Sequence, residues 1–163
     1  MNPQEIIDKY PDDRVLVHTV NSKVRDYLLN SLPQQRLISH TTNNREEMLE
    51  TFRLAKAPLV MISPSFDRGI DLYDDQCRCV IIAKMPYLDL SDKQVKARMA
   101  LPGGQRWYNL RTAQTLVQMS GRAVRSKTDH ADTWILDRQF ESVLMRTRHI
   151  LPKWWLAAIK RIG

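Results

Sequence analysis

Residues 59–71 read Leu59-Val60-Met61-Ile62-Ser63-Pro64-Ser65-Phe66-Asp67-Arg68-Gly69-Ile70-Asp71, four apolar side chains followed at once by a polar loop that holds a glycine. A strand with one wet face alternates apolar and polar residues, whereas a strand covered on both faces reads as an unbroken apolar run. LVMI is of the second kind, and so are VLV at 15–17 within RVLVH and VIIA at 80–83 within CVIIA. Shorter runs of strand type stand at Arg36 to Ser39 and Thr133 to Leu136. The segments between the first strands have helical spacing. Val24, Leu28 and Leu32 recur at intervals of four ahead of Pro33, and Met48, Leu49 and Phe52 share one side of 45–54, after a capping Asn43 or Asn44 and before Pro58. Strand, helix, strand, helix, strand predicts an α/β fold, an open and mainly parallel sheet with helices on both faces. Ligands in such folds bind beyond the carboxyl ends of the strands. The loop 63–71 lies where a site is expected.

The bulk composition agrees with one ordinary domain over 1–163. With 43% hydrophobic and 26% charged residues the chain is globular in type and long enough for a real core. Its net charge of +7 is concentrated: Lys93, Lys96, Arg98, Arg106, Arg111, Arg122, Arg125 and Lys127 follow one another with no Asp or Glu between 93 and 127. A field of that kind holds polyanions. No long apolar run and no signal-like N-terminus point to a membrane, so nucleic acid or nucleotide is the expected partner. Cys77 and Cys79 are too few for a four-ligand metal cage, and His18, His40, His130 and His149 lack metal-binding spacing. The two thiols read as reduced and partly buried, in an intracellular, cytoplasmic protein.

Within the basic section, Gln118 to Arg125 reads QMSGRAVR. On the helix expected from Trp107 to Val124, Gln118, Arg122 and Arg125 fall on successive turns of one side, and Gly121 leaves room for a close approach. Paired guanidiniums suit phosphate, because their planar forks donate bidentate hydrogen bonds and stay charged; a solvated basic helix face is the competing reading. Pro102-Gly103-Gly104 reads as a flexible loop. Further helices are expected at Arg138 to Arg148 and from Pro152 onward, with Trp154 and Trp155 as packing residues or, alternatively, base-stacking ones.

Taken in order, RVLVHTVNS, SPSFDRGID, CVIIAKMPY, QMSGRAVRSKTDHADTWILDRQF and LPKWW resemble motif IV (near 14–22), motif V (near 63–71), motif VI (near 118–125) and the segments around them in the second RecA-like domain of a superfamily 2 helicase, in the XPD/DinG-like branch. The resemblance implies a RecA-like sheet and a role in an ATP-dependent DNA helicase. Arg122 and Arg125 would reach the β and γ phosphates of ATP held with Mg2+ by a first RecA-like domain, and Gln118 would order that face. Asp71 or the Gly69 backbone would touch the nucleotide or relay its state. Thr19, Ser22, Ser63 and Ser65 become candidates for hydrogen bonds to single-stranded DNA, with RNA open as well, or else plain turn and cap residues. Arg68 departs from the family, which often has an acidic residue there. The chain carries no GxxxxGK[ST] phosphate loop, no acidic strand end for magnesium and no four cysteines for an iron–sulfur cluster.

Alone, then, the chain is expected to be inactive as an ATPase, its phosphate-loop domain being supplied in cis or in trans. The alternative is a free-standing nucleic-acid-binding or regulatory domain without ATPase activity. Met1 and the end at Gly163 are compatible with a short independent gene, as in a phage, or with a piece of a longer protein; a bacterial, archaeal or phage-infected cell is the expected setting.

Overall fold

The computed structural model describes residues 1–66, 70–72, 74–121 and 129–162. Its sheet has five strands, β1 (Val15–His18), β2 (Leu37–Ser39), β3 (Val60–Ser63), β4 (Cys79–Ile82) and β5 (Asp132–Ile135), in the order β2-β3-β1-β4-β5. Every pair is parallel. Helices α1 (Pro3–Ile7), α2 (Ser22–Ser31), α3 (Arg45–Leu54), α4 (Lys93–Met99), α5 (Gly104–Ser120), α6 (Gln139–Thr147) and α7 (Lys153–Ala157), with short 3-10 turns at Gln34–Arg36 and Asp74–Gln76, complete the described elements.

The unbroken apolar runs are explained by burial on both sides. Val15, Val60 and Cys79 lie abreast, as do Val17, Ile62 and Ile81, and they form one packed face with Ile6 and Ile7 of α1 and Leu28 of α2. The alternate residues Leu16, Met61, Val80 and Ile82 are equally withdrawn from water. Each such side chain contributes about 1.5–3 kcal/mol by leaving water, and a polar residue at any of these positions would forfeit that.

The chain forms two compact units, one of Met1–Lys84 with Gln118–Asp137 and one of Met85–Val117 with Arg138–Gly163. The first holds the whole sheet. In the second, Tyr108, Val143, Leu151 and Trp155 are buried, and Trp155 meets the Phe140 ring edge-on with centroids 6.2 Å apart.

Several local expectations are corrected. The polar start holds α1, announced only by a capping box in which Asn2 accepts from the Glu5 amide and the Glu5 carboxylate accepts from the Asn2 amide; five residues are too few to show a period. Helix α4 stands within the basic section, started by Asp92, whose carboxylate accepts from the Gln94 and Val95 amides. Gly103-Gly104 is a tight turn into α5: Gly103 has φ +78, and a Cβ on buried Gly104 would press into the carbonyl oxygens of Arg98 and Met99. Asn44 is the N-cap residue of α3 but makes no side-chain cap bond to it; its side-chain Oδ1 accepts instead from the Thr41 amide at 2.7 Å. Cys77 and Cys79 are fully buried free thiols, and burial pushes Cys77 up to about 12. Trp155 packs, but Trp154 is 65% exposed.

Candidate functional site

Parallel pairing brings the ends of β1 and β3 side by side. His18 is in register with Ser63, and the Thr19 amide donates to the Ser63 carbonyl at 3.0 Å. The two loops that begin at Thr19 and Pro64 therefore leave the same edge of the sheet as neighbours. β2, next to β3, brings His40 and Thr41 to this edge as well.

After β1 the chain turns sharply into α2. Thr19 is buried and its hydroxyl donates to the Asn21 carbonyl at 3.1 Å. Val20 has φ +66, a conformation that costs a β-branched residue about 1–3 kcal/mol. That turn places Asn21 as N-cap, its side chain accepting from the Val24 amide at 3.0 Å, and leaves Ser22 exposed on the first turn of the ten-residue helix. Helix N-termini favour anions through free amides and the helix dipole.

After β3, the buried Ser63 hydroxyl organises the loop. It accepts from the amides of Ser65 at 3.2 Å and Phe66 at 3.1 Å, and lies 2.7 Å from His40 Nε2. His40 Nδ1 faces the Thr41 carbonyl at 3.1 Å, and a carbonyl only accepts, so Nδ1 carries the proton and Nε2 accepts from the Ser63 hydroxyl. The imidazole stacks on Phe66 with centroids 4.6 Å apart, and the Arg45 guanidinium lies 4.8 Å from the Phe66 centroid. Burial holds the His40 pKa below its ordinary value, and the charges of Arg45 and Arg25 lower it further against the opposing pull of the Thr41 carbonyl. Arg25 also donates to the His40 carbonyl at 3.2 Å. The result is a rigid loop start beside two guanidiniums, with the Ser65 side chain exposed.

Thr19 and Ser63 thus spend their hydroxyls inside the protein, while those of Ser22 and Ser65 face solvent. Asp71 is exposed, and its carbonyl accepts from Arg53 Nη2 at 3.2 Å. Gln118 is exposed near the end of α5, where the Thr133 hydroxyl on β5 donates to the Ser120 carbonyl at 3.3 Å. Arg122, Arg125, Gly69 and Arg68 lie outside the described residues. His40 was invisible to a motif search. The only available signal was a lone histidine directly after a short strand.

Arg14, at the opposite end of β1, belongs to the scaffold. Its guanidinium donates to the carbonyls of Phe52, Arg53 and Ala55 at the end of α3 and to that of Asp75. This replaces a C-cap for α3 with a charge placed favourably on the helix dipole. Among the described residues, no three His, Cys, Asp or Glu side chains converge as a metal site, and no helix is long and apolar enough to cross a membrane.

A five-stranded parallel sheet in this order, with its loops gathered on one edge, defines a RecA-like α/β domain. A family model described as a helicase C-terminal domain matches residues 5–158. Curated proteins similar to the chain include the regulator of telomere elongation helicase 1 homolog of Drosophila virilis, 28% identical over 126 residues that span 69% of this chain and 12% of that protein. Its counterpart in Drosophila willistoni is 30% identical over 113 residues, 61% of this chain and 11% of that protein. An XPD helicase structure superposes with a TM-score of 0.68 at 20% identity, covering 97% of this chain and 30% of that one. The Xpd4 structure from S. tokodaii gives 0.63 at 22%, covering 86% and 30%. The chain belongs to the helicase C-terminal domain family, as the second RecA-like domain of the superfamily 2, XPD-like branch. It spans about an eighth of the length of the curated relatives it matches, 12% for the first of them.

Proposed function

We propose that this chain is the second motor domain of an ATP-dependent DNA helicase, with residues 1–163 as the RecA-like unit. In this reading Arg122 and Arg125 act as arginine fingers on ATP bound by a first RecA-like domain, which also carries the phosphate loop and the Mg2+ ligands. Guanidiniums there would stabilise the charge that develops on the transferring phosphoryl group. Gln118 orders that face, and Asp71 or the Gly69 backbone senses the nucleotide. The observation that supports the reading best is the register of His18 with Ser63, which sets the motif IV and motif V loops next to each other. Ser22 and Ser65, with the neighbouring amides, meet phosphates of the single strand; Thr19 and Ser63 hold those loops in shape.

The test is ATP hydrolysis, with and without single-stranded DNA, by the chain alone and mixed with phosphate-loop domains from the same source. The expected result is activity only in a mixture, lowered about a thousandfold or more by Arg125→Ala, the scale of an arginine finger. Hydrolysis by the isolated chain would overturn the proposal. Single-strand binding with no active mixture would favour a nucleic-acid-binding module without ATPase activity.

A further inference from the structure

The hairpin of α4 and α5 carries a row of groups that the motif loops do not use. The Arg98 guanidinium, on exposed Arg98 at the end of α4, lies 5.8 Å from the centroid of the Trp107 ring, which is itself partly exposed on the first turn of α5. One turn on, exposed Arg111 donates to the Gln114 side-chain carbonyl at 3.3 Å. Trp107, Arg111 and Gln114 are spaced by four and three residues and so share one side of the helix. No Asp or Glu occurs from 93 to 121, and the two carboxylates just upstream are committed to backbone amides, Asp89 to Ser91 and Asp92 to Gln94 and Val95. A partly exposed ring with one guanidinium beside it and, a turn further along the helix, an arginine and an amide offers stacking, phosphate contacts and a hydrogen-bond donor together.

The scaffold under the row is stiff. Gly104 lets α5 start directly against the last carbonyls of α4. Tyr108 donates to the Leu88 carbonyl at 2.9 Å, and its ring lies parallel to Tyr87 with centroids 6.0 Å apart. A platform set before binding loses little freedom when a ligand arrives.

We infer that Arg98, Trp107, Arg111 and Gln114 form a second contact surface for a single nucleic-acid strand, with an unpaired base stacked on Trp107 and flanking phosphates on the two arginines. The inference rests on the reading of the chain as a nucleic-acid motor domain and adds residues that do not belong to its motif loops. Unpaired bases are the specific partner, because a duplex buries the faces that the ring would stack on.

Fluorescence anisotropy of the 163-residue chain with labelled oligothymidylate, oligouridylate and a duplex across a salt series tests it. Trp107→Leu should weaken single-strand binding about tenfold with the salt slope unchanged, and Trp107→Phe should restore most of the loss. Arg98→Gln with Arg111→Gln should lower the slope of log K against log salt by about 1.4, two single-strand phosphate contacts. Thermal melts that match the wild type keep these losses apart from unfolding. A loss in the thymidylate arm, the uridylate arm or both supports the inference and names the strand. Wild-type binding by Trp107→Leu, duplex binding as tight as single-strand binding, or competition by polyglutamate with Trp107→Leu silent would each overturn it and leave the motor reading standing. If the wild-type chain binds no single strand, the nucleic-acid reading itself falls, and the inference with it.

Discussion

The two compact units use their arginines in opposite ways. In the sheet-bearing unit, Arg14 is only 7% exposed and gives its donors to four backbone carbonyls, and Arg36 likewise donates to the carbonyls of Tyr10, Asp13 and Pro58. In the other unit, Arg98, Arg106 and Arg111 lie on the solvent side of α4 and α5, in a stretch without a carboxylate. The same side chain is a structural rivet in one place and a free field in the other. Burial and the supply of acceptors make the difference, since a buried cation must be fully hydrogen-bonded while an exposed one is satisfied by water. Net charge alone is therefore a poor guide to where a polyanion binds.

The comparison is broken most easily at Arg14. Arg14→Met should cost about 3 kcal/mol by stripping mostly part-buried carbonyls of a charged donor, and lower the thermal midpoint by ~10 °C. A loss below about 1 kcal/mol in a denaturant melt would mean that water replaces the guanidinium, and the structural reading of Arg14 would go.

In the second unit the sensitive position is not a charge. Gly104→Ala forces a methyl group into the backbone of α4 and should cost about 2 kcal/mol, read as a drop of ~6 °C. By contrast, Arg98→Gln and Arg111→Gln should each stay within about 0.5 kcal/mol of wild type. If the arginine variants melt lower than Gly104→Ala, the contrast between the units fails.

A finer test uses pH. His40 is neutral in the folded chain, and burial holds its pKa below the ordinary 6.5. The folded state thus binds fewer protons there than the unfolded state. This contribution is fully present above pH 6.5 and is lost as pH falls from 6.5 toward the lowered folded value. His40→Asn should cost about 1 kcal/mol at pH 7.5 and flatten the decline in melting temperature below pH 6.5. An equal decline in wild type and variant would place the acid sensitivity elsewhere.

Much of this was legible in the chain. The runs 15–17, 59–62 and 80–83 identified doubly buried strands, and α3 was found at its observed bounds, because periodicity is written locally in successive residues. Helix α1 escaped because it is too short to show a period, and α4 because a seven-residue helix in a basic, nearly all-exposed segment has no apolar side to read.

By itself, the sequence pointed to a mainly parallel sheet whose strands 15–17, 59–62 and 80–83 are covered on both faces, and to the loops after the strands as the place to look for a site. Only the tertiary structure decided the order β2-β3-β1-β4-β5, the pairing of His18 with Ser63, and which hydroxyls are spent inside. Thr19 and Ser63 look like Ser22 and Ser65 on paper, yet the first two are buried and the last two are open to solvent. The physical reason is that whether a polar group meets water or protein depends on what the neighbouring strands pack around it, as β1, β2 and β3 do at Thr19 and Ser63. No local pattern encodes that.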